Sequence, residues 1–309
     1  TDEQIRRYAA LCADDSSCRS RTPDLAASLR SAYEGIPERW WFLPIRTGNV
    51  RLGAFWGLLH ATTDGAGPPN APWTIDTLLA ADEGDGSGAW FVSLMTQAIF
   101  PRVQVWGDVA AVARSDAAHA RRFFATHADR GSVIGSPGTD FLTAGGRLYD
   151  SWPASPDENQ YTRVQDSNVE TLLIGGRLDV ATPPQNGTRE LLPHLSKGHE
   201  VVVPDIGHTD DFWTYQPEAG SRLLNTFFDS GRVDDSLYEP QSVDFTPEVT
   251  QTALGIKQGM RTAIVALVIA IVALIFARKA MNQVAELRQR LDAIQAIPAA
   301  AAASVPPPL

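Results

Sequence analysis

Apolar residues recur at helical spacing through the first half of the chain and then change pattern. Residues 22–33 open with Thr-Pro-Asp and continue as an amphipathic run, which predicts a helix with Pro23 in its first turn, where a missing N–H costs nothing. Further apolar runs at 50–60, 73–81 and 89–100 predict three more helices. The stretches at 62–70 and 82–88, rich in Gly, Pro and Asp, predict loops. Strands and helices do not alternate here, so residues 1–165 read as a mostly helical region.

From residue 168 the pattern is different. VETLLIGG at 169–176 and EVVVP at 200–204 are short apolar runs of strand length, with a helical stretch at 183–195 between them. Such a strand–helix–strand unit suits parallel pairing with a right-handed crossover. A helix at 217–228 follows, its apolar face assigned to Leu223, Leu224, Phe227 and Phe228. Residues 262–277, TAIVALVIAIVALIFA, lack any charge and are bounded by Arg261 and by Arg278-Lys279. At about 1.5 Å per residue they are a little short of a bilayer core, and snorkelling Arg and Lys stems supply the difference. Beyond them Val284, Leu287, Leu291 and Ile294 recur at spacings of three and four, predicting that the helix continues to about residue 297. The Ala/Pro-rich end, 298–309, reads as disordered.

Charge sharpens this division. The 309-residue chain carries −10 overall, but residues 1–250 hold 20 basic and 34 acidic side chains while 251–309 hold 6 and 2. An acidic body repels phosphate backbones, which excludes nucleic acid as a partner. Four basic residues follow the apolar span (Arg278, Lys279, Arg288, Arg290) against two before it (Lys257, Arg261). That bias places the C-terminus in the cytoplasm and the body outside a plasma membrane. Cys12 and Cys18, the only cysteines, are then expected to form a disulfide.

Two residues stand just beyond the two predicted strands, at the edge of a parallel sheet where active sites collect. Asp179 lies in GGRLDVATP and His208 in PDIGHTDD. A carboxylate there can accept the Nδ1 proton of an imidazole and turn Nε2 toward a nucleophile. Asp210 and Asp211, beside His208, read as solvated loop carboxylates. His60, His119, His127, His194 and His199 are scattered without a ligand motif, so neither a metal nor another cofactor is expected.

The string LLIGGRLDVATPPQNGTRELLPHL, then HEVVVPDIGHTDDF and NTFFDSGRVD, resembles the last two strands of an α/β-hydrolase. It is closest to the tripeptidyl-aminopeptidase-like or proline-iminopeptidase-like branch. The resemblance, which covers about residues 1–235, implies a helical cap at 1–165 and a hydrolase core at 166–235; the hydropathy and charge pattern adds a linker at 236–260, a membrane helix at 261–278 and a cytoplasmic helix at 279–297. The implied fold class is therefore α/β: the C-terminal part of a hydrolase sheet under a mostly helical cap. It implies a peptide or a small ester or amide as substrate, and acidic cap residues that receive a free amine, for which Glu34, Glu38 and Asp76 are candidates.

One part is missing. The fold places its nucleophilic Ser in G-x-S-x-G, ahead of the acid and the base, and no such string occurs in these residues. Ser87 and Ser136 have glycines at the wrong offsets. The chain is accordingly expected to be the C-terminal portion of a bacterial serine hydrolase, inactive alone because its Ser lies upstream. The competing expectations are a membrane-tethered binding module without catalysis, or an esterase or lipase of the same fold.

Overall fold

Polar side chains set where several helices begin. The computed structural model of the protein describes residues 1–61, 70–114, 117–127, 130–143, 145, 152–153, 163–245 and 248–301. It divides into two units, Thr1–Ala253 and Leu254–Leu309.

In the first unit, α1 (Asp2–Asp14) buries Ile5, Tyr8 and Cys12, at helical spacings of three and four. Asp15 starts α2 (Ser16–Arg21) by accepting from the Cys18 N–H at 2.7 Å. Cys18 is joined to Cys12. Asp24 likewise starts α3 (Leu25–Glu34), accepting from Ala27 N at 3.0 Å. Pro23 therefore precedes the cap instead of lying in the first turn, because Asp24 offers the better capping oxygen. A two-residue antiparallel ladder, β1 (Arg39–Trp40) with β2 (Leu43–Pro44), leads into α4 (Thr47–Gly57).

Asn70 caps α5 (Ala71–Asp82), which carries Pro72 in its first turn and is buried on almost every side, as suits a central helix. α6 (Ser87–Val103), α7 (Trp106–Ala113), α8 (Ala117–Ala125) and α9 (Pro137–Thr143) complete the helical region. The loop expected at 82–88 is confined to 83–86, since α5 runs to Asp82 and α6 starts at Ser87. The loop expected at 62–70 lies outside the described residues except for Asn70.

The expected strands form β3 (Thr171–Gly176) and β4 (Gly198–Val203), paired in parallel from Thr171 opposite Gly198 to Gly176 opposite Val203. The crossover is not one regular helix. It is a short α-turn, α10 (Pro184–Asn186), a π-turn (Gly187–Leu191) and a 3-10 turn (Leu192–His194). Pro193, with no N–H to give, suits the break. Among the described residues β3 has no strand on its other edge. α11 (Thr209–Tyr215) and α12 (Pro217–Ser230) follow. In α12, Leu223 and Phe227 are buried, Leu224 is half-buried and Phe228 is 78% exposed, so the apolar face is narrower than its sequence implied.

One core joins the helical region to the loop after β3. Leu178 and Val180, each 1% exposed, pack in the same cluster as Ile5, Tyr8, Leu29, Leu58 and Ile75. The residue between them, Asp179, is thereby fixed by both neighbours.

The long helix α13 (Glu248–Ala301) begins inside the expected linker and continues four residues into the expected disordered tail, of which 302–309 lie outside the described residues. Its Gln258–Gln295 stretch is long and apolar enough to cross a membrane and none of it is buried. Val284, Leu287, Leu291 and Ile294 are exposed as well.

Candidate active site

The site forms where two strand ends meet the end of α4. Gly176 closes β3 with no room for a side chain: a Cβ there would lie 1.9 Å from the Gly207 carbonyl oxygen. Gly207 is equally confined, its Cβ position being 2.0 Å from the Leu59 oxygen. These two glycines let the acid loop, the histidine loop and the 58–61 segment touch through their backbones. His208 N donates to Leu59 O at 2.7 Å, and Leu178 N to Ile206 O at 2.9 Å.

Asp179, 2% exposed, lies against His208, with Oδ2 2.8 Å from His208 Nδ1. The Thr182 hydroxyl donates to the same oxygen at 2.6 Å, and the N–H groups of Ala181 and Thr182 both donate to Oδ1 at 2.9 Å. Burial, the largest single influence, pushes the carboxyl up. The hydrogen bonds from His208 and Thr182 together outweigh it and hold the carboxyl below its ordinary value. The His208 side chain is 27% exposed, so it faces both the buried acid and solvent. Under the pair, burial pushes the Tyr8 phenol well up, with Asp211 and Asp179 adding to the effect, and its hydroxyl reaches Leu58 O at 3.4 Å.

A cavity of about 300 Å³ opens beside the pair, bordered by Leu172, Ile174, Asp179, Thr182, Phe212 and Trp213. A larger one, about 540 Å³, lies by α4, α6 and α9 and includes neither Asp179 nor His208. Of the two, the smaller contains one of the paired groups.

The three carboxylates proposed for an amine are not brought to this cavity. Asp76 is buried and paired with Arg21, while Glu34 and Glu38 are exposed near the end of α3. Asp211 differs most from expectation. It is 1% exposed, with one oxygen accepting from Ala61 N at 2.7 Å and Gly207 N at 2.8 Å. Its other oxygen lies 3.1 Å from His60 Nδ1. Its sequence neighbourhood does not mark it, because two of its three partners, His60 and Ala61, lie about 150 residues away. Among the described residues no group of three His, Cys, Asp or Glu could hold a metal ion.

No curated protein and no solved structure matches the chain. A family model does, over the segment that carries Asp179, Thr182, His208 and Asp211: residues 146–239 match the family described as TAP-like protein, of the α/β-hydrolase superfamily.

Proposed function

We propose that this chain supplies the acid and the base of a membrane-anchored serine α/β-hydrolase, aminopeptidase-like in substrate, whose nucleophilic Ser lies outside these 309 residues. The contact of 2.8 Å between His208 Nδ1 and buried Asp179 carries the reading. An ionised Asp179 fixes the tautomer with hydrogen on Nδ1, which leaves Nε2 to take the proton of a seryl hydroxyl as it attacks a carbonyl carbon. Nε2–H then protonates the leaving amine, while Asp179 stabilises the imidazolium. Residues 1–165 act as the cap. α13 crosses the plasma membrane, with Arg278, Lys279, Arg288 and Arg290 on the cytoplasmic side and the body outside.

The test uses the longer protein with its upstream sequence. A fluorophosphonate should label one Ser, and His208→Ala should slow labelling by about 10³-fold or more. Equal rates would remove His208 from the mechanism, and no labelling at all would favour a tethered binding module. Comparing aminoacyl anilides with simple esters as substrates separates a peptidase from an esterase.

A further inference from the structure

The loop that carries His208 is held by a group that the acid–base pair does not use. We propose that Asp211 is the positioning residue of His208, clamping its loop to the 59–61 segment at the end of α4, with His60 as the partner of its second oxygen. The role rests on the reading of His208 as the base.

Asp211 lies in the first turn of α11 but does not cap that helix in the usual way. A capping oxygen accepts from an N–H two or three residues ahead, whereas Asp211 reaches back to Gly207 N, four residues behind, and across to Ala61 N. One buried oxygen therefore ties the peptide preceding His208 to the chain just after α4. The His208 N–H bond to Leu59 O and the Asp211 N–H bond to His208 O, 2.9 Å, complete a ring of contacts around residues 207–208. The absence of space at Gly207 shows how closely the clamp is drawn. A carboxylate accepting from two N–H groups makes charge-assisted bonds, stronger than neutral ones. Deleting it leaves both donors buried and lets the loop drift, so that the imidazole no longer meets Asp179. An amide at 211 still offers one oxygen to both N–H groups and should keep the loop in place.

The test needs no nucleophile and can use the full chain in detergent. Proton NMR should show the strongly deshielded Nδ1–H of His208 bonded to Asp179, assigned by its loss in His208→Ala and in Asp179→Asn. Asp211→Ala is expected to lose this resonance while keeping its far-ultraviolet circular dichroism, and Asp211→Asn to restore it. An unchanged resonance in Asp211→Ala overturns the positioning role and leaves the Asp179–His208 pair standing. A wild-type chain without the resonance removes that pair, and the positioning role with it. Should Asp211→Ala not fold, amide exchange in the wild type reads the same clamp. The Ala61, Gly207 and His208 amides should be protected together, and fast exchange at Ala61 or Gly207 overturns the proposal.

Discussion

Ile5, Tyr8, Leu29, Leu58 and Leu78 of the helical region are fully buried, whereas five of the six residues of β3 are only half-buried. The helical region closes a core around α5. The strand pair rests on a smaller cluster of Val201, Val203, Ile206, Phe212 and Leu223, and among the described residues β3 has a free edge. Asp179 and His208 are anchored unequally across this difference. Asp179 lies between Leu178 and Val180 in the large core, while the loop of His208 is bonded through its backbone to Leu59 and, at Gly207, to Asp211. Packing and hydrogen bonds together hold Asp179, whereas the contacts that hold the residues beside His208 are mainly hydrogen bonds.

The strongest way to break this contrast is to crowd the backbone contact. Gly207→Ala places a methyl against Leu59 O and Asp211, both tied into the clamp, and should cost about 3 kcal/mol or prevent folding. Gly48→Ala, with nothing within 4 Å of its Cβ, should be neutral or gain about 0.5 kcal/mol in α4. Urea unfolding followed by circular dichroism measures both. Similar values would mean that the glycine at 207 does not serve close approach.

Next comes the packing itself. Leu178→Ala empties a site in the large core and should cost about 3 kcal/mol, within the usual range for a buried Leu. Leu172→Ala, half-buried on β3, should cost about 1 kcal/mol. Equal losses in the same unfolding assay would show that the strand pair is packed as tightly as the helices.

A smaller effect should appear in the acid's hydrogen bonds. Thr182→Val removes the donor 2.6 Å from Asp179 and should cost about 1–2 kcal/mol. Because the Asp179 carboxyl is held below its ordinary value in the folded chain, the unfolded chain takes up the proton first. The stability contributed by Asp179 is then complete above the ordinary carboxylate value, near pH 4, and is lost as pH falls toward the folded value. In Thr182→Val the folded value lies closer to the ordinary one, so this loss should be smaller and complete at higher pH, and in Asp179→Asn it should be absent. Unfolding curves between neutral and acid pH distinguish the three chains.

Asp179 and His208 were legible because each follows a short apolar run and sits in a distinctive local string, so position along the chain already placed both at strand ends. Much of the remainder depends on distant partners. Asp211 reads like its neighbour Asp210 in sequence, and only the approach of Ala61 makes it a buried acceptor. Asp76 looks like a free acid until Arg21 is placed beside it. Phe227 and Phe228 are equivalent in composition, yet one turn of α12 buries the first and exposes the second. The start of α13 at Glu248 lies in sequence of mixed polarity, ahead of the continuous apolar run that marks the rest of the helix.

The smallest expected effect concerns the segment after α12, where half-buried Asp234 meets the exposed side chains of Arg222 and Ser236. Asp234 accepts from Ser236 Oγ at 2.6 Å and from Arg222 Nε at 2.8 Å, and these bonds, Ser236 first, lower its carboxyl to about 2. Arg222→Gln removes the cation but leaves the two Ser236 donors, so the carboxyl should rise only part of the way to its ordinary value. Ser236→Ala, which removes the largest single cause, should raise it further. Carboxyl-carbon NMR titration reads both shifts directly. The order matters more than the size: a larger rise in Arg222→Gln would mean that the long-range link from α12 outweighs the local turn, and that this segment is tied to the strand region more firmly than its exposure indicates.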